Sequence, residues 1–304
     1  MRVFVTGGSG FIGSAVVQQL LGAGHDVVGL ARSDSSARAL TAAGAEVNRG
    51  ELGDVDSLRE GAEASDGVIH LAYIHDFSKF EDNARVDRRA IDAIGEVLAG
   101  SDRPFVIASG VLMVAANGQT ATETDRGEAS GAAGGRRGNE HLLLSLADRG
   151  VRSASLRLPP TVHGAGDHGF MSMIIATARE KGVSAYVGDG SNRWPAVHRL
   201  DAASLFRLAL EQAPPGTVLH GVAEEGVAVR DIAEAIGQQL DLPVVSVTAE
   251  QAPAHFGFLG ALIGVDSPAS SALTRAHFGW EPAQAGLIAD LEQGHYFELA
   301  PVTS

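Results

Sequence analysis

Cysteine is absent from the 304-residue chain, which excludes disulfides, cysteine-based zinc sites and thiol nucleophiles. Long apolar runs are also absent. The longest, Phe256–Val265, falls well short of the ~20 residues a spanning helix needs. Positive charge is scarce: 23 Lys and Arg against 37 Asp and Glu give a net charge of −14. That balance argues against nucleic acid or an anionic membrane as a main partner. Tyrosine is rare as well, found only at Tyr73, Tyr186 and Tyr296. What remains is ordinary for a globular chain with a sizeable core, 45% hydrophobic and 20% charged. The length suits one large α/β unit or two lobes. The opening MRVFVTGG reads as a strand, so no leader peptide is expected and a cytoplasmic protein is.

The first half alternates β-branched runs with helical patterns. Strands are expected at Val3–Val5, Val27–Leu30, Glu46–Asn48, Gly67–Leu71, Phe105–Ala108 and Ser153–Leu158. Between them, apolar residues at helical spacing mark 11–23, 35–43, 55–62, 83–99 and 137–149. This alternation predicts βαβ units and a doubly wound parallel sheet, an α/β fold with a smaller C-terminal substrate lobe. After Pro159 the rhythm loosens, with helices near 170–181, 201–212 and 229–240 and a strand near 217–221. The expected division is 1–165 for dinucleotide binding, rejoined by about 195–222. The substrate lobe takes 166–194 and 223–304.

The strongest local signal is TGGSGFIGSAVVQQLL, residues 6–21. Gly7 permits the tight turn, Gly10 lets backbone approach a pyrophosphate, and Gly13 allows close helix–sheet packing. The helix that starts at Phe11 and Ile12 then offers free N–H groups and its positive dipole end to the phosphates. The second strand ends in GLARSD. Arg32 stands where an acid would contact the ribose 2′-OH of NAD, so the chain is expected to favour NADP(H), with Ser33 as a second donor. Asp34 is expected to face away or to cap the next helix.

These pieces, with ELGDVDSL, VIHLAY, FVIAS, RLPPTVHG and VGDGSNRWPAVHRLDAA, resemble the extended short-chain dehydrogenase/reductases, also called the NAD-dependent epimerase/dehydratase group. The resemblance runs in order over nearly the whole chain. It implies that Asp54 and Val55 approach the adenine, and that Leu71, Ala72 and Tyr73 line the ribose and nicotinamide side. Pro160, Thr161 and Val162 would border the nicotinamide. His198 and Asp201 fall where the chain returns to the sheet, and Asp201 is expected to cap a helix. The helices at 83–99 and 137–149 would form the family's dimer bundle, implying a homodimer.

The resemblance breaks at the proton donor. Members of this family carry Tyr-x-x-x-Lys on the helix after strand five, where the tyrosine protonates the carbonyl oxygen and the lysine lowers its pKa. If Glu140 marks the usual acidic position, Arg136 replaces the lysine and Ala132 the tyrosine. Arginine can hold a ribose and supply charge, but it does not shuttle protons. Ser109 is the expected hydroxyl, although a slip of one residue would put Gly110 in its slot. The substitute acid could be Tyr73, His75, Asp76 or a relayed water.

Other residues are weaker candidates. His163, Asp167 and His168 lack the spacing of a metal site, and no metal is expected. Glu123 and Asp125 could form an acid/base pair, although a solvated loop is the favoured reading. Met171, Met173, Trp194 and Phe256–Leu262 could line an apolar pocket. The resulting expectation is an NADP(H)-dependent oxidoreductase acting on a carbonyl or alcohol of a small apolar substrate. Ser109, Tyr73 and Arg136 would be its catalytic residues. A non-redox lyase or isomerase and an NADP(H)-sensing regulator are the alternatives.

Overall fold

The computed structural model describes residues 1–74, 79–128 and 134–298. Its centre is a parallel sheet of seven strands: β1 (Arg2–Thr6), β2 (Asp26–Ala31), β3 (Glu46–Arg49), β4 (Gly67–His70), β5 (Pro104–Gly110), β6 (Arg152–Leu158) and, later in the chain, β10 (Thr217–His220). The spatial order is β3-β2-β1-β4-β5-β6-β10, with every neighbouring pair parallel. The chain winds outward from β1 to β3, then restarts on the other side of β1 with β4. That reversal opens a crevice beyond the carboxyl ends of β1 and β4, where sheets of this kind bind ligands.

Helices α1 (Phe11–Gly22), α2 (Asp34–Ala43), α3 (Val55–Glu63), α4 (Phe80–Leu98) and α5 (Gly134–Ser145) connect the strands. Burial on both faces explains the near-continuous apolar reading of the central strands. Val3 and Val5 pack with Val16, Val17 and Leu20 of α1. Phe4 points the opposite way, into Leu58 of α3 and Ile91 and Ile94 of α4.

Beyond β6 follow β7 (Thr161–His163), α6 (Phe170–Lys181), β8 (Ser184–Val187), β9 (Arg193–His198) and α7 (Arg199–Gln212). After β10 come β11 (Glu224–Ala228), α8 (Val229–Leu240), β12 (Val244–Val247), α9 (Ala252–Phe256), α10 (Ala272–Phe278) and α11 (Leu287–Glu292). A second apolar cluster, built on Met171, Trp194, Ile236, Phe256, Leu259 and Leu291, forms the C-terminal lobe. Met171, Trp194, Phe256 and Leu259 therefore pack as core and do not line an open pocket. Among the described residues, no helix is long and apolar enough to cross a membrane.

Several elements start earlier than their sequence pattern indicated. The helix expected at 137–149 begins at Gly134 and ends at Ser145, followed by a 3-10 turn over Leu146–Arg149. The helix expected from 201 begins at Arg199, because β9 runs into it without a linker. Its cap is His198, whose Nδ1 accepts from the Leu200 N–H at 3.2 Å. Asp201 is therefore not the cap. It is buried in the first turn, and its carboxylate accepts from the backbone N–H groups of Ala283 (3.0 Å) and Gln284 (3.1 Å), fastening the C-terminal segment.

Candidate active site

The glycine turn closes between β1 and α1. Gly7 has φ +71°, and a Cβ there would meet Ala72 N at 2.7 Å. A Cβ on Gly13 would lie 2.0 Å from the Gly7 carbonyl oxygen, so both positions require glycine. No side chain caps α1, and its first turn holds no acid. The N–H groups and positive dipole end at Phe11, Ile12 and Gly13 thus meet no side-chain cap or first-turn acid, a setting that favours an external anion. A dinucleotide pyrophosphate fits this cradle, since bare backbone is what can approach it closely.

At the end of β2, Arg32 is exposed. Ser33 is the N-cap of α2, its oxygen accepting from the Ser36 N–H at 3.2 Å. The nearby acid, Asp34, is the first residue of α2 rather than its cap, and it is ion-paired to Arg49 at 2.7 Å. Asp54 is exposed and caps α3 through the Ser57 N–H at 3.3 Å, with Val55 beside it in the first turn.

Tyr73 and Arg136 meet across the crevice. The Arg136 guanidinium carbon lies 4.4 Å from the centre of the Tyr73 ring, a cation–π contact. One Arg136 N–H reaches the Ala108 carbonyl at 3.3 Å, and buried Ser109 follows directly on the same strand. Burial raises the Tyr73 phenol above its ordinary value; the Asp87 charge adds to this and Arg136 opposes it. The two arginines of GGRRGNE therefore divide their work. Arg136 faces the crevice, whereas Arg137 turns inward, donating to Glu140 at 2.7 Å and to the Gly110 carbonyl at 3.1 Å.

Glu140 is fully buried and also accepts from Arg157 at 2.8 and 3.0 Å and from Ser155 at 2.5 Å. Burial opposes its charge, but Arg157, Arg137 and Ser155 hold the carboxyl down at about 2. Glu140 is a clamp between α5 and the ends of β5 and β6, so it fixes the helix that carries Arg136.

A second buried chain was not picked out from the sequence. Ala72 N–H donates to Thr6 Oγ1 (3.2 Å), which pairs with His70 Nδ1 (2.8 Å). His70 Nε2 contacts Asp87 Oδ1 (3.1 Å), and the Asn139 amide donates to Asp87 Oδ2 (2.7 Å). Burial works against ionisation of Asp87, yet His70, Arg136 and Asn139 hold its pKa below the usual range. The chain joins the glycine turn to the backbone just before Tyr73. A signal for it existed: His70 in an apolar strand, and an acid on the apolar stripe of α4.

The remaining candidates fall elsewhere. Leu71, Ala72, Pro160 and Val162 are half-buried at the strand ends, and the Thr161 hydroxyl is buried and donated to the Pro195 carbonyl. His163 Nδ1 pairs with Asp290 at 2.9 Å. Asp167, its pKa raised by burial, accepts from the Tyr296 hydroxyl at 3.0 Å. Among the described residues, no three metal-ligating side chains converge. Glu123 and Asp125 are not a pair. Glu123 is buried, accepting from the Thr274 N–H and hydroxyl at 2.7 Å, while Asp125 caps its own turn through Thr122. Glu123 also borders a cavity of about 370 Å³ at the β10 edge, which includes none of the residues around the glycine turn or Tyr73. His75, Asp76 and Ala132 lie outside the described residues.

An uncharacterized protein of Schizosaccharomyces pombe is 50% identical over 297 residues, covering 98% of this chain and 100% of its own. The 2'-dehydrokanamycin reductase of Streptomyces kanamyceticus is 31% identical, over 83% of this chain and 71% of its own. In fold, the chain superposes on DesIV, a dTDP-glucose 4,6-dehydratase of Streptomyces venezuelae solved with NAD and TYD bound. The TM-score is 0.77 at 18% identity, covering 98% of both chains. Residues 3–220, which span the glycine turn, the Tyr73 and Ser109 strand ends and the return through α7 and β10, match one family. The chain belongs to the NAD dependent epimerase/dehydratase family.

Proposed function

We propose that this protein is an NADP(H)-dependent oxidoreductase that interconverts a carbonyl and an alcohol on a small apolar substrate, with Tyr73 as the proton donor. The observation that carries the reading is the Arg136 guanidinium 4.4 Å from the Tyr73 ring centre, beside the strand β5 that carries Ser109. When bound, the nicotinamide supplies the hydride. Ser109 donates a hydrogen bond that orients the substrate carbonyl, and the Tyr73 hydroxyl delivers the proton to its oxygen. Burial keeps that phenol protonated between turnovers, which suits an acid, and solvent restores the proton afterwards. Arg136 stabilises the negative charge that develops on the phenol oxygen, and it is placed to hold the nicotinamide ribose.

The NADP(H) preference rests on Arg32, exposed at the end of β2 while Asp34 is neutralised by Arg49. The 2′-phosphate would meet the Arg32 cation, while the neighbouring acid Asp34 is engaged by Arg49. Apolar side chains on the loops after β4 and β5, Ile74 (37% exposed) and Met113 (39%), support an apolar substrate. The similarity to a reductase at 31% identity supports the reaction class. The test is substrate-dependent loss of NADPH absorbance on a panel of apolar ketones, aldehydes and enones, repeated with Tyr73→Phe.

A further inference from the structure

Arg199, the first residue of α7, is held against the first residue of α1. Its guanidinium carbon lies 5.2 Å from the centre of the Phe11 ring, and Nη1 is 3.5 Å from the Phe11 carbonyl oxygen. The stem is located by Gly164, where φ is +134° and a Cβ would come within 3.3 Å of Arg199 Cγ. From the same loop, His168 packs edge-on against Phe11 with ring centres 5.9 Å apart. Arg199 also borders a cavity of about 240 Å³ that reaches Gly8, Ser9 and Ser14 of the glycine turn and α1.

Arg199 has no carboxylate partner among the described residues. The acids on the surrounding segments are committed elsewhere: Asp167 to Tyr296 and the Gly169 N–H, Asp201 to Ala283 and Gln284, Asp290 to His163. Among the described residues, Arg199 shares half-burial without a carboxylate partner with Arg103, Arg136 and Arg152; its place sets it apart. Arg199 touches the start of α1, so a positive dipole end and a guanidinium converge there, whereas the start of α7 is already capped by His198 and carries Asp201. The first turn of α1 offers no acid to offset them. An anion of more than one charge, bound at that point, would relieve both the α1 end and the guanidinium.

We propose that Arg199 is a ligand of the dinucleotide pyrophosphate, closing over the phosphates from α7 while the N–H groups of α1 hold them from below. The assignment rests on the dinucleotide reading given above. It separates two arginines by the phosphate each recognises, Arg32 the 2′-phosphate and Arg199 the pyrophosphate. Guanidinium forks suit both tasks.

The experiment is calorimetric titration of the full chain and of Arg199→Gln, which keeps the stem against Gly164 and removes the charge. The probes are NADPH, NADH and ADP-ribose, with a melting curve taken in parallel to confirm folding. Loss of a charge-assisted contact predicts binding weaker by about 10- to 100-fold, by the same factor for all three probes, with Arg199→Lys intermediate. Unchanged ADP-ribose affinity in Arg199→Gln, or a Lys variant as weak as the Gln variant, would overturn the assignment. If the parent protein binds none of the three, the dinucleotide reading itself fails, which is a separate outcome from a parent that binds and a variant that binds equally well.

Discussion

Asp87 Oδ1 stands 3.1 Å from His70 Nε2, while its other oxygen receives the Asn139 amide at 2.7 Å. All three side chains are buried, and through Thr6 the chain reaches the Ala72 N–H that precedes Tyr73. Asp87→Asn keeps the shape but replaces one of the two oxygens that face His70 and Asn139 with an amide donor and removes the charge. The expected cost is about 1–3 kcal/mol of folding stability, the penalty for a buried polar group left without its partner. Urea denaturation of the two proteins measures it. A midpoint equal to that of the parent would show that the chain contributes nothing to stability.

Arg32→Asp should weaken NADPH binding far more than NADH binding, because only NADPH carries the 2′-phosphate. Fluorescence titration with each cofactor reads the difference directly. Equal weakening of both would remove Arg32 from the 2′-phosphate site.

Acid should destabilise the protein in two stages. Burial pushes His220 down from 6.5 to about 4, while its Nδ1 contacts the Ser270 carbonyl at 2.8 Å. The unfolded chain therefore binds a proton at this position that the folded chain refuses, and stability falls between about pH 6.5 and 4. Glu140, held at about 2 against an ordinary 4.5, adds a further loss as pH drops through that lower range. His220→Gln should flatten the upper stage and leave the lower one. Melting temperatures across pH 7 to 3 check this, and a His220→Gln profile parallel to the parent would count against the assignment.

The parallel sheet and the glycine turn were legible in the sequence because each depends on local chemistry. β-Branched runs fit strands buried on both faces, and only glycine tolerates the backbone at Gly7 and the closeness at Gly13. The errors arose where a distant segment decides a residue's surroundings. ATETDR has the composition of a solvated loop, but Thr274, on α10, buries Glu123. Asp201 has the look of a helix cap, but the direct run of β9 into α7 gives that role to His198. The Tyr73–Arg136 contact also joins segments far apart in the chain, so spacing alone marked Arg136 as a lysine substitute without indicating which ring it covers.

The central claim is that the phenol beneath Arg136 is the acid. The most direct measurement is the rate of NADPH-dependent carbonyl reduction by Tyr73→Phe at saturating cofactor and substrate, with NADPH affinity measured alongside. Loss of a general acid predicts a fall in kcat of about 10²- to 10⁴-fold with NADPH binding retained, since the ring that Arg136 covers is still present. Full activity in Tyr73→Phe would contradict the mechanism and move the proton source to another group.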